Sequence, residues 1–312
     1  MFEIKRYTPD KATEWNEFLT RSKNGTFLFD RRYMDYHSDR FEDSSLLIYR
    51  KNRLFALLPG NTKDKTYYSH QGLTYGGLIT DSQATAEHVC NAFDAVNELL
   101  RSEDYQKVVY KPVPWIYHAL PAEEDVYALF VRCHARLVER DVSSTVFLKN
   151  RLKFTESRLS GIRKAKREGL VVRESDDVES FWRILCDNLH RKYGATPVHT
   201  AYEMRLLKGR FPSEIKLFMV YRDKSPLGGT ILYLTPQVVH TQYISASEDG
   251  KRVGALDLLF DHLLVDENFH QPYFDFGTSA LGNTNEVNSS LIFQKQGFGG
   301  RSVCYDWYEY DL

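Results

Sequence analysis

Asp275 stands inside Tyr273-Phe-Asp-Phe-Gly277, and a carboxylate in an aromatic strand is costly to bury unless it is paired or functional. Strand alternation puts Phe274 and Phe276 on one face, Tyr273 and Asp275 on the other. A second β-rich run, Val238-Val-His-Thr-Gln-Tyr-Ile-Ser-Ala246, carries His240 and Tyr243. A carboxylate or imidazole near a phenol can move protons on and off a reacting group. On that reading Asp275 or His240 is the base, and Tyr243 protonates a leaving group. The plainer readings are an ion-paired structural acid, a satisfied core histidine and a packed tyrosine with a bonded hydroxyl.

The loop Ser247-Glu-Asp-Gly-Lys-Arg-Val-Gly-Ala255 follows that run and opens an apolar helix. Such an N-terminus offers backbone N–H groups and a partial positive charge, and glycine lets a phosphate come close. Lys251, Arg252, Val253, Gly254 and Ala255 are therefore candidate phosphate-binding residues, with the two cations adding charge-assisted contacts. The alternative is an ordinary polar turn with positive φ at Gly250. No Gly-Lys-Ser/Thr follows, which argues against an NTPase, and no HExxH or Gly-x-Ser-x-Gly occurs. Cys90, Cys133, Cys186 and Cys304 are scattered without a CxxC pair, so neither zinc nor a disulfide framework is expected.

These groups need elements to hold them, and the chain has 312 residues, of which 42% are hydrophobic and 14% aromatic. A single core stops growing near ~250–300 residues, so two domains are expected. A weak internal repeat supports this. Leu47-Ile-Tyr-Arg-Lys-Asn52 is echoed by Met219-Val-Tyr-Arg-Asp-Lys224, each opening a β-hairpin. Helical runs pair off as Asp10 to Arg21 with Asp176 to Leu189, and Ala84 to Leu100 with Gly254 to Val265. The strand Lys107 to Val113 matches Pro272 to Gly277, and Tyr127 to Arg132 matches Ser290 to Lys295, each ahead of a terminal strand. The order predicts a duplicated α/β unit, residues 1–150 and 151–312, rather than one doubly wound parallel sheet. The join, Leu148 to Thr155, has no Pro/Gly/Ser-rich linker.

With that order established, the chain resembles the GNAT acyltransferase fold, specifically the Fem-type branch with two GNAT-like domains in tandem. The resemblance rests on Phe293-Gln-Lys-Gln-Gly-Phe298-Gly-Gly300, on the basic helix Arg158 to Leu170, and on Tyr68-Ser-His-Gln-Gly-Leu-Thr-Tyr-Gly-Gly-Leu78. It implies an α/β (α+β) fold of mixed central sheets flanked by helices, and transfer of an acyl or aminoacyl group to an amine. Acyl-CoA, such as acetyl-CoA, is the implied co-substrate, and no metal. The strands bearing His240 and Asp275 would splay to hold the acyl group, with a strand N–H near Ser245 to Ser247 facing the carbonyl. Phe293 would lie beside the pantetheine arm and Lys295 would neutralise a phosphate or carbonyl; Gly297 reads as the left-handed residue after the helix. Tyr193, His199 and, in the first half, His70 would face the acceptor, in a cleft between the halves. The acceptor implied is an amino sugar or a cell-envelope or polysaccharide precursor. The phosphate loop departs from the family pattern, Arg/Gln-x-x-Gly-x-Gly/Ala, at its first and last positions, keeping Gly254. The first half has no glycine in Ser82 to Ala86, so it is expected to have lost donor binding.

Lys+Arg of 41 against Asp+Glu of 42 leaves a net charge of −1, so any polyanion affinity must be local. The run Lys149 to Arg173 is strongly basic, which makes tRNA, as an aminoacyl donor, a candidate partner; a solvated helix face is the plain alternative. No apolar stretch is long enough to span a membrane, and a cytoplasmic protein is expected. The competing class is a non-catalytic binding protein on a degenerate fold.

Overall fold

Period-two runs and helical spacing become the expected elements in the computed structural model, which describes residues 2–267, 269–280 and 286–312 and, of Tyr193, the backbone. The chain divides into Met1–Asp141 with Cys304–Leu312, and Val142–Val303. The break therefore falls before residue 150, and the C-terminal strand belongs to the first unit.

The first unit contains β1 (Phe2–Arg6), α1 (Ala12–Thr20), α2 (Arg31–Met34), β2 (Leu46–Arg50), β3 (Arg53–Leu58), β4 (Asn61–Lys63), β5 (Thr66–Tyr68), β6 (Ile79–Thr80), α3 (Ala86–Ser102), β7 (Lys107–Tyr110) and α4 (Glu124–Val131). Its strands run in the orders β1-β2-β3-β6 and β4-β5-β7, with the end of the C-terminal strand added beside β7. Tyr310 explains that last pairing, since its side chain is buried in this unit's core and its hydroxyl donates to Asn97 Oδ1 at 2.9 Å. Trp15 anchors α1: the indole is fully buried and donates to the Phe29 carbonyl at 2.7 Å.

The second unit takes up β8 (Arg136–Phe147) from Val142, then α5 (Glu156–Arg167), β9 (Leu170–Glu174), α6 (Val178–Tyr193), α7 (Ala201–Arg210), β10 (Ile215–Arg222), β11 (Ser225–Leu234), β12 (Val238–Ala246), α8 (Glu248–Val253), α9 (Ala255–Asp261), β13 (Tyr273–Thr278) and α10 (Ser289–Gly297), and leads into β14 (Arg301–Asp311). The strand order is β8-β13-β12-β11-β10-β9. All neighbours are antiparallel except β12 and β13. That parallel pairing covers only Val238–His240 against Tyr273–Asp275, although β12 continues to Ala246 and β13 to Thr278.

Two irregularities drive the strands apart. In β12, Tyr243 pairs with Ile231 and Thr241 with Leu232, so Gln242 is the extra residue of a bulge, which bends a strand and raises its twist. In β13, pairing with β8 jumps from Asp275↔Thr145 to Thr278↔Ser143, and Gly277 sits at φ +74°. That left-handed conformation is readily open to glycine.

Helices α5 and α9 cross at a glycine contact. A Cβ on Gly254 would lie 2.5 Å from the Gly161 carbonyl oxygen, and Gly254 also holds φ +79°. Arg158 to Asp257 at 2.7 Å and Lys166 to Asp261 at 2.9 Å close the same seam. Gly254→Ala combines left-handed strain with overpacking, an expected loss of about 2–4 kcal/mol in chemical denaturation of the full chain. An unchanged midpoint would contradict the close crossing.

Candidate active site

The most polar knot in the second unit forms where β12 and β13 part. Asp275 is fully buried; its Oδ2 lies 3.0 Å from His240 Nδ1. Its Oδ1 accepts from Thr145 Oγ1 at 2.8 Å and from the Ser143 hydroxyl. Burial pushes this carboxyl up, yet the hydrogen bonds from His240, Ser143 and Thr145 outweigh it and hold the group below its ordinary range. A carboxylate held ionised can only accept at His240, so Nδ1 carries a proton. The imidazole lies over Gly277: a Cβ there would come 3.3 Å from His240 Cε1.

Lys295 is bound to the same bulge from α10. Its Nζ donates to the carbonyls of Gly277 and Thr278, each at 2.8 Å, and to Ser279 Oγ at 2.9 Å. Three donors meet three acceptors, so the ammonium acts on its surroundings through charge, not through a further hydrogen bond. Burial lowers its pKa to about 8, against the pull of Asp275.

A cavity of about 370 Å³ opens at this parting. Ile244, Leu256, Phe260, Phe276, Leu291 and Phe298 give it apolar walls, and Phe260 and Phe276 meet edge to face at 4.8 Å. Its polar lining is Asn188 and Lys192 of α6, Ser245, Lys251, Gln294 and Lys295. Among the described residues, three lysines line this space and no carboxylate does.

Tyr243 meets His199 beside α6. Its hydroxyl is 2.6 Å from His199 Nδ1, Trp182 packs at 5.2 Å, and the Trp182 indole donates to the His199 carbonyl at 3.2 Å. Burial raises Tyr243 to about 12. The sequence reading gave Tyr243 and His199 separate roles, and the fold makes them one pair.

The phosphate-loop candidates scatter. Lys251 reaches the cavity wall but bonds Glu248 at 2.8 Å and also Asn188, while Arg252 pairs with Asp249. Val253 and Ala255 are core residues, and Gly254 is pressed against Gly161. Phe293 is 67% exposed and is not among the cavity-lining residues. Gly297 ends α10 without a positive φ; Gly299, at φ +92°, is the left-handed residue. The side chain of Tyr193 lies outside the described residues. The basic run is partly spent on α5 itself and α9, through Arg163 to Glu156, Arg158 to Asp257 and Lys166 to Asp261. Sequence reasoning missed Ser143, Thr145, Asn188 and Lys192; the Ser143-Ser-Thr145 run in a strand was the readable sign for the first two.

In the first unit, Tyr110 of β7 is buried. Its hydroxyl accepts the Leu78 N–H at 2.6 Å and donates to buried Asp125 at 2.6 Å, and burial raises Asp125 to about 6. His70 lines neither of the two cavities described for the chain; it is buried, at φ +75°, with its ring centroid 5.4 Å from that of buried His37. Among the described residues no cluster of three or more His, Cys, Asp or Glu is placed to hold a metal. No helix among them is long and apolar enough to cross a membrane.

Residues 156–283 match the family model described as "Acetyltransferase (GNAT) domain". The chain also superposes along its length on solved structures of this type. FemX gives a TM-score of 0.70 at 11% identity, covering 99% of this chain and 97% of FemX. The tandem GNAT protein from the clavulanic acid biosynthesis pathway gives 0.53 at 11% identity, covering 100% and 98%. Residues 156–283 carry a GNAT acetyltransferase domain, and the chain as a whole has the Fem-like tandem fold. L-PGS from Bacillus licheniformis is also similar to this chain in fold, with a TM-score of 0.62 at 10% identity over 97% of this chain and 91% of that one. No curated protein matches the sequence.

His37 and His70 give the chain a pH signature. Burial is the main cause that lowers His37 to about 4 and His70 to about 3, from an ordinary 6.5. Between about pH 6.5 and 4 the unfolded chain binds protons there that the folded chain does not, so stability falls as pH drops through that window. Each histidine contributes about 1.4 kcal/mol per pH unit. Denaturation of the His37→Gln/His70→Gln chain should show a shallower decline over this window than the wild type, and equal slopes would contradict the burial of two neutral imidazoles.

Proposed function

We propose that the chain moves an acyl group from a CoA thioester to a primary amine in the cavity between β12 and β13. The observation that carries this reading is a space with apolar walls whose lining, among the described residues, includes Lys192, Lys251 and Lys295 and no carboxylate, a positive field suited to an anionic donor with an acyl arm. The amine nitrogen bonds to the carbonyl carbon and the C–S bond breaks. The amine's proton passes through water to His240 Nε2, which is not itself among the cavity-lining residues, and on to the leaving sulfur. Asp275 is then the positioning residue: with Ser143 and Thr145 it fixes the tautomer and angle of His240. The carbonyl oxygen lies against the edge of β12 beyond His240, where pairing with β13 has ended, and Lys295 adds positive field from beneath. Tyr243, at about 12, is a poor acid for a thiolate, so with His199 it is assigned to the acceptor side. The acceptor amine is placed on an amino sugar or a cell-envelope precursor.

One observation favours a second donor, an aminoacyl ester of tRNA. Gly254, Lys251 and Arg252, which a pyrophosphate would use, are engaged with Gly161, Glu248 and Asp249.

Thiol release from acetyl-CoA in the presence of an amine acceptor tests the first reading. Lys295→Met should lower kcat about 10²-fold. Wild-type rate should fall above about pH 8, where Lys295 loses its charge, and Lys295→Arg should move that falling limb upward. The same alkaline limb in both proteins would contradict the role of Lys295. Consumption of aminoacyl-tRNA without thiol release would transfer the assignment to the second donor.

A further inference from the structure

A second cavity, of about 790 Å³, lies in the first unit. Its two walls carry opposite charge. Helix α1 contributes Glu14 and Glu17, one helical turn apart on one face, and the β2–β3 hairpin contributes Arg50, Lys51 and Arg53. Phe18, Leu54 and Phe55 form the floor, and the ion pair of Arg21 with Asp81 stands at the margin.

The hairpin wall is held in an unfavourable arrangement. Arg50 and Arg53 are directly cross-strand from one another, and Lys51 and Asn52 form the two-residue turn between them, at φ 50° and 60°. Like charges directly opposite on an antiparallel pair repel. None of the three cations has an ion-pair partner among the described residues, and neither does Glu17. Glu14 is held by Lys11 at 3.1 Å and by the Tyr49 hydroxyl at 2.9 Å. The cavity keeps the acidic and basic walls from meeting.

The repeat supplies an internal control. Arg222, the second unit's counterpart of Arg50, reaches Glu168 at 3.6 Å and Asp249 at 3.5 Å. Its neighbour in the turn is Asp223, where the first unit has Lys51. In the second unit the hairpin cation is neutralised by the protein, whereas in the first unit three are gathered and left to something else.

We propose that this cavity binds a zwitterion: a short peptide with free ends, its ammonium toward Glu14 and Glu17 and its carboxylate toward Arg50 and Arg53. A polyanion such as pyrophosphate would meet the two glutamates as well as the cations. A ligand with separated charges satisfies both walls, and its middle lies over the apolar floor. The inference is independent of which donor the second unit uses.

Isothermal titration of the full-length chain with the tripeptide Gly-Leu-Gly tests it, beside the N-acetylated tripeptide, the C-amidated tripeptide and inorganic pyrophosphate. The free tripeptide should bind, and blocking either end should weaken it at least tenfold, as loss of one charge-assisted contact implies. Arg50→Gln/Arg53→Gln should weaken the free and N-acetylated peptides but leave the amidated one little changed, and Glu17→Gln should show the reverse pattern. These side chains are on the surface, so the variants should fold, and matching circular dichroism would verify it. Failure of the free tripeptide to bind at millimolar concentration would overturn the proposal. So would equal binding of the blocked peptides, or pyrophosphate binding in preference to the peptide.

Discussion

The second unit depends on one interruption, the end of pairing between β12 and β13 at His240 and Asp275. A continuous sheet would satisfy both strand edges and leave no room for a substrate. Here the bulge at Gln242 and the left-handed Gly277 turn the strands apart while the hydrogen bonds of β12 to β11 and of β13 to β8 hold each in place. The exposed ends of that parting are then secured by charge. Asp275 ties β13 to β8 and to His240, and Lys295 ties α10 to the carbonyls of the bulge. The opening and its electrostatics have the same origin.

That origin also explains why the two units differ. In the second, the parting is lined by phenylalanines and lysines and stays open. In the first, Tyr110 of β7 accepts the Leu78 N–H and donates to buried Asp125. The expectation that the first half lost its donor site came from missing glycines.

Much of the fold was legible because it rests on local periodicity. The hairpins after Leu47 and Met219 and the helices at Asp10, Ala84 and Asp176 all form within a few residues of their expected places. The pairing of β14 with β7 was not legible, since a strand's sequence does not name its partner. Asp275 stood out as a lone acid among aromatics, but Thr145 is 130 residues away and nothing local links them. Gly254 was visible as a glycine with a purpose, and the purpose is contact with Gly161, which only the crossing of α5 and α9 reveals. One correction was within reach: Glu248 and Asp249 precede Lys251 and Arg252 by three residues, the spacing at which helical charges neutralise one another.

The central claim is that the open edge of β12 receives the donor carbonyl. Hydrogen–deuterium exchange of the full-length chain, with and without a non-hydrolysable acetyl-CoA analogue, tests it most directly. Bound analogue should slow exchange at the amides of Ile244–Ala246 and in the first turn of α10, and leave the Tyr110 segment unchanged. Protection confined to the first unit, or none at Ile244–Ala246 under saturating analogue, would contradict the account.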